Sequence, residues 1–157
     1  MTPLRWAVRI AMTLADRGRR LAWRRMKHWP MHSVRGIVLT PERRVVLVRH
    51  SYTAGWHCPA GGLGRHEDAE TAIRRELSEE IGLYHGMFEQ VEAISDMEEG
   101  RSRRLVTFVV REALYRPRWS LEIEEVGAFA PDALPADIAG FSRRALERFL
   151  DVPTSDR

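Results

Sequence analysis

Apolar positions along this chain follow a helical period first, then the period of strands, then a helical one again. Leu4, Trp6, Ala7, Val8, Ile10, Ala11, Met12, Leu14 and Ala15 cover most of a helical circumference at about 100° per residue, while Arg5, Arg9 and Asp16 share one narrow side. A helix with a broad face to bury is therefore expected there, weakened or ended by Gly18, with Pro30 closing the arm. From Ser33 the pattern is that of strands. The runs SVRGIVLT (33–40) and RVVLVR (44–49) flank Pro41-Glu42-Arg43, which reads as the turn of a hairpin. A loop rich in glycine spans 51–64. A helix is expected at about Glu67–Ile81, with Gly82 where a glycine commonly ends a helix. Two strands are then expected at about 88–95 and 104–111, around a loop at 96–103 that is acidic and then basic. Another strand near 127–130, a turn at Pro131–Pro135 and an amphipathic helix over Ile138–Leu150 complete the pattern.

The 157 residues suit one domain with an extension: an arm over 1–30, a domain over 31–152 and a short tail over 153–157. At 44% hydrophobic and 30% charged, and with no run of eighteen apolar residues, the chain reads as globular and lacks a membrane-spanning helix. Its single cysteine, Cys58, excludes an intramolecular disulfide and a multi-cysteine zinc site, and a cytoplasmic location is expected. The formal charge of +3 hides an asymmetry. Residues 1–30 hold eight Lys and Arg against one Asp, and the rest hold 17 basic against 21 acidic residues. Arg9 interrupts the arm's apolar stretch, unlike a secretory signal. Three roles are open to the arm: packing on the body or on a second subunit as a homodimer, favoured by its wide alanine-rich face; lying on an anionic membrane surface; or gripping RNA through its arginines.

The central helix carries a conflict. Ala69, Ala72, Ile73, Leu77 and Ile81 share the half that should face the core, and Thr71, Arg74, Arg75 and Ser78 lie opposite. Glu76 and Glu80 fall inside the apolar arc, with Glu79 at its edge. Carboxylates at these spacings repel one another, and partial burial without partners costs several kcal/mol or a proton. A hard divalent cation such as Mg²⁺ removes both problems, and the preceding glycine-rich loop offers backbone groups to phosphate or metal. The other reading is a solvated acidic face paired with surface arginines.

Residues 61–83, GGLGRHEDAETAIRRELSEEIGL, resemble the Nudix box at every specified position: Gly61, Glu67, Arg75, Glu76, Leu77, Glu79, Glu80, Gly82 and Leu83. At ordinary residue frequencies a chance match has a probability below about one in 10⁸ per starting position. The similarity extends over about 33–150, through VRGIVLT and RVVLVRHSYTAGWHCPAGG to LEIEEVGAFAPDALP. It implies an α/β Nudix fold, a mixed β-sheet sandwiched between helices, here with an N-terminal helical extension. It also implies an enzyme using Mg²⁺ or Mn²⁺ and water to cleave the pyrophosphate of a nucleoside diphosphate linked to another moiety (a nucleotide, a sugar or an ADP-ribose-like group).

By the same resemblance Glu76, Glu79 and Glu80 hold the metal with the carbonyl of Gly61, and a glutamate of this set, or one beyond the box, serves as base. Glu67 and Arg75 form an ion pair that fixes the loop; on the helical wheel Arg75 points away from the acidic cluster. Glu98 or Glu99 is the first candidate for a carboxylate from outside the box, with Glu122 and Glu125 behind them. Arg49, Tyr52 and Trp56 are candidates for substrate contact, the aromatics equally as loop anchors. Cys58, beside His57, reads as a small buried strand residue. Departures from the common pattern are Ala60 in place of a glycine, Gly64 where an acid is frequent, and His66 before Glu67. Two other functions fit the same fold, a nucleotide-sensing module without hydrolysis and an RNA-end pyrophosphohydrolase. Family resemblance does not name the leaving group.

Overall fold

The computed structural model describes residues 32–150 apart from Tyr52, Glu99, Gly100 and Trp119. The expected arm and tail lie outside the described residues. Among the described residues nine elements follow in chain order: β1 His32–Leu39, β2 Val45–His50, β3 Trp56–His57, β4 Ala60–Gly62, α1 Ala69–Ile81, β5 Leu83–Glu98, β6 Arg101–Tyr115, β7 Ile123–Phe129 and α2 Gly140–Phe149. The strands form one mixed sheet of order β3-β2-β1-β6-β5, with β4 also pairing β1 and β7 also pairing β2. Strands β1 and β6 run parallel, from His32↔Arg104 to Val38↔Val110, and the other pairs are antiparallel.

Alternation along β1 and β6 sends side chains to two cores. Val34, Val38, Val106, Phe108 and Val110 pack with Ala72, Ile73, Leu77 and Ile81 of α1. Ile37, Leu39 and Val109 pack on the opposite face with Ala145 and Leu146 of α2. The mixed sheet between helices expected from the sequence is therefore present, and among the described residues no helix is long and apolar enough to cross a membrane. The β1–β2 turn also forms as expected, with Arg43 at φ 59 and its N–H donating to the Thr40 carbonyl at 2.8 Å.

The expected loop at 96–103 is a correction. Strands β5 and β6 continue through it to Glu98↔Arg101, and Asp96 lies opposite Arg103, their side chains bonded at 3.2 Å. A charged tip looks like a loop in sequence, but opposite charges placed across an antiparallel pair stabilise the ladder. Strands β3 and β4 were absent from the periodicity because two or three residues are too few to show one.

Candidate active site

Two caps and a buried stripe fix the position and rotation of α1. Asp68 caps its start, accepting from Thr71 N–H at 2.9 Å, and Gly82 ends it at φ 68, its N–H reaching Ser78 O at 3.1 Å. A Cβ on Gly82 would lie 2.0 Å from the Arg116 carbonyl oxygen, so glycine is needed there twice over, for space and for the left-handed turn. With Ala72, Ile73, Leu77 and Ile81 buried, Glu76 and Glu80 turn toward β4, their side chains 14% and 11% exposed, whereas Glu79 is 63% exposed.

Strand β4 receives those carboxylates. Ala60 N–H donates to Glu80 Oε2 at 3.1 Å. A Cβ on Gly61 would sit 1.9 Å from Glu76 Cδ, so the bare glycine is the slot that the Glu76 carboxylate fills. Arg75 braces the loop, bonding both oxygens of Glu67 at 3.0 Å and the Gly62 carbonyl at 3.0 Å. Glu67 in turn accepts from Gly64 N–H at 3.0 Å. Arg75 also donates to Glu76 Oε1 at 2.7 Å. That corrects the helical-wheel expectation that Arg75 points away from the acids, because a wheel places the Cβ and not a guanidinium on a four-bond tether.

Burial dominates the electrostatics. The Glu80 carboxyl is pushed up to about 8 by desolvation, with Glu76, Glu122 and Glu79 adding repulsion against the Ala60 N–H. Glu76 is raised by burial in spite of Arg75. His50, whose Nε2 is 3.9 Å from Glu80 Oε1, is pushed down to about 4 by burial and by neighbouring His57. Among the described residues no three acidic, histidine or cysteine side chains stand as a ready metal cage. Glu76 is turned onto Arg75, Glu79 faces solvent and Glu80 holds the Ala60 N–H. The donors nonetheless suit a hard divalent cation: they are oxygens, two belong to carboxyls whose charge burial disfavours, and a bare glycine leaves them room.

The family described as the NUDIX domain matches residues 29–149. The chain belongs to the Nudix family. Family members use divalent metal ions, in keeping with the oxygen donors of α1. A "MutT-like protein" of Streptomyces ambofaciens is 30% identical over 84 residues, 52% of this chain and 52% of its own length. An "RNA pyrophosphohydrolase" of Cellvibrio japonicus is 43% identical over 51 residues, 31% of this chain and 30% of its own. The chain thus spans about half the length of the first of these relatives and under a third of the second. The crystal structure of a MutT NUDIX hydrolase from Burkholderia pseudomallei superposes with a TM-score of 0.64 at 21% identity, covering 78% of this chain and 99% of that one, a likeness of fold.

Outside the Nudix box the sequence candidates separate. Trp56 is 5% exposed, its ring 4.9 Å from Phe129, so it anchors the loop in the core and offers no open face for a base. Arg49 stands with its guanidinium 4.9 Å from the Trp56 ring centre and Nη2 3.1 Å from Asp137 Oδ2, on the wall of a cavity of about 460 Å³. Tyr52 and Glu99 lie outside the described residues, and Glu98 sits by register at the end of the β5–β6 hairpin. Glu122, ranked second from sequence, has its charge felt at Glu80, and its carbonyl accepts Ser51 N–H at 2.9 Å. Only the pairing of β7 with β2 makes it a neighbour of the box. Cys58 is buried as expected but lies in the link between β3 and β4 and not in a strand; its thiol is pushed up to about 11 by desolvation, a packing residue without nucleophile character.

Proposed function

We propose that this chain is a Mg²⁺- or Mn²⁺-dependent pyrophosphohydrolase acting on a nucleoside diphosphate linked to another moiety. The observation that carries this reading is the pair of half-buried carboxyls, Glu76 and Glu80, both raised by burial and seated against the bare backbone of Gly61 and Ala60. Glu76, Glu79, Glu80 and the Gly61 carbonyl would hold the cation, with Glu122 as the carboxylate from outside the box. A bound divalent cation supplies a Lewis acid that offsets charge developing on the phosphates and lowers the pKa of the attacking water. Around it, Arg75 positions Glu76 and, through Glu67, the loop at Gly62 and Gly64. A carboxylate of this set takes the proton of the attacking water.

Purified protein with Mg²⁺ or Mn²⁺ should release nucleoside monophosphate or phosphate from at least one member of a panel. The panel comprises nucleoside triphosphates, nucleoside diphosphate sugars, ADP-ribose, dinucleoside polyphosphates and 5′-triphosphorylated RNA, and a chelator should stop the reaction. No product from any of them, with Glu79→Gln and Glu80→Gln leaving calorimetric metal binding unchanged, would overturn the proposal. A second reading, hydrolysis at RNA 5′ ends, is supported by the similarity to the Cellvibrio japonicus protein. In that case removal of residues 1–29 abolishes turnover of RNA and spares small substrates.

A further inference from the structure

The cavity on the β2 side of the box has a chemistry that narrows the substrate. Arg49, His50 and Ser51 at the end of β2, Thr53 and Gly55 in the following loop, and Glu124 and Asp137 from later in the chain contribute to its wall. It adjoins the candidate metal site through His50, whose Nε2 lies 3.9 Å from Glu80, and through the Ser51 bond to the Glu122 carbonyl. At about 460 Å³ it has the size of a small-molecule site.

Its charges are unevenly matched. Arg49 is the arginine of this wall, against the carboxylates of Glu124 and Asp137. Its Nη2 is engaged by Asp137 at 3.1 Å, and Glu125 stands 3.9 Å from its Nε. The guanidinium is thus already paired, and among the described residues this wall sets two carboxylates against one arginine, so a phosphate seated on it, away from the candidate metal site, would meet net negative charge. Hydrogen bonding points the same way. Buried Arg49 Nε makes no hydrogen bond and can donate to an acceptor, while the exposed Glu124 carboxylate and the Asp137 oxygen not held by Arg49 can accept from donors. A hydroxyl is both donor and acceptor, and an ionised phosphate only accepts.

We propose that this cavity receives an uncharged, hydroxyl-rich group, a sugar joined to the nucleoside diphosphate, and selects against a further phosphate or an RNA chain. The inference rests on the hydrolase reading above and deepens it. Glu124 and Asp137 are its specificity residues, and Arg49 orients the incoming hydroxyls.

The test compares kcat/KM of the full chain with Mg²⁺ or Mn²⁺ for ADP-glucose, ATP, diadenosine tetraphosphate and 5′-triphosphorylated RNA. ADP-glucose should lead by about tenfold or more, and Glu124→Lys should cut that lead about tenfold, mainly through KM. Glu124 is exposed, so the variant should fold. A wild-type preference for the polyphosphates or RNA, or an unchanged ratio in Glu124→Lys, overturns the inference. If none of the four is turned over, that outcome bears on the hydrolase reading, which the wider panel and the metal-binding measurement decide, and not on the cavity. Calorimetric binding of ADP-glucose and ATP then decides the cavity question, tighter binding of ATP overturning the inference and tighter binding of ADP-glucose upholding it.

Discussion

Helices α1 and α2 cover opposite faces of the same sheet, each through a buried apolar stripe, yet they are held in different ways. Helix α2 starts after Ala139 without a side-chain cap and keeps its place through Ser142, Ala145 and Leu146. Helix α1 is closed by Asp68 at one end and Gly82 at the other, and carries four buried apolar residues. It needs that support because its rotation also brings Glu76 and Glu80 into partial burial, where charge is disfavoured. A helix that only covers a core tolerates small shifts. One that must present carboxylates to a glycine slot does not, and that is why the stronger anchoring falls on α1.

Substitutions in each helix can break this contrast. The largest effect is expected for Glu80→Gln, which should lower turnover by about 10²-fold or more. Metal-free stability at neutral pH should stay level or rise, since a buried acid is replaced by a neutral amide, as chemical denaturation can show. A parallel loss of stability would mean that Glu80 is a structural residue like those of α2. Next comes Leu146→Ala, expected to cost about 2–5 kcal/mol of stability while turnover per folded molecule stays the same. A fall in turnover per folded molecule would show that α2 also positions the chemistry.

Proton linkage sharpens the comparison further. The Glu80 carboxyl is raised from 4.5 to about 8 in the fold, so its stabilising effect is full below the unfolded value and fades as pH rises through about 8. Urea midpoints of metal-free protein should fall between pH 5 and pH 8.5. Glu80→Gln should flatten that slope, and Mg²⁺ should oppose it by favouring the ionised carboxylate. A slope unchanged in Glu80→Gln would assign it elsewhere. The smallest effect is expected for Asp68→Ala, which removes the α1 cap at a cost of about 1 kcal/mol; no change would mean that core packing alone holds α1.

Much of the box was legible because its logic is local. Residues at i, i+3 and i+4 share a helix side wherever the helix forms, so Glu76 and Glu80 fell inside the apolar arc of α1 before any tertiary contact was known. The Glu67–Arg75 pair spans one short loop and half a helix, and it too follows from chain spacing. Arg75 shows the limit of this logic. Its bond to Glu76 depends on how a long side chain folds back, which spacing leaves open. Trp56 was ambiguous because aromatic anchors and aromatic platforms have the same composition, and the packing of Phe129 decided for the anchor. At 96–103 charge was mistaken for loop, since the Asp96–Arg103 partnership forms only across the ladder.

By itself the amino-acid sequence determined the family pattern, the capped helix with acids on its inner edge and the alternation that builds two faces of a sheet. These rest on neighbours a few residues apart, whose relation is set by backbone geometry. Tertiary structure alone decided which distant groups join them. Pairing of β2 with β7 puts Glu122 beside Glu80, and the chain beyond β7 carries Asp137 back to Arg49. Such contacts join residues separated by 42 or 88 positions. No local period encodes that separation, and only the packed sheet sets the charge of the cavity beside the candidate metal site.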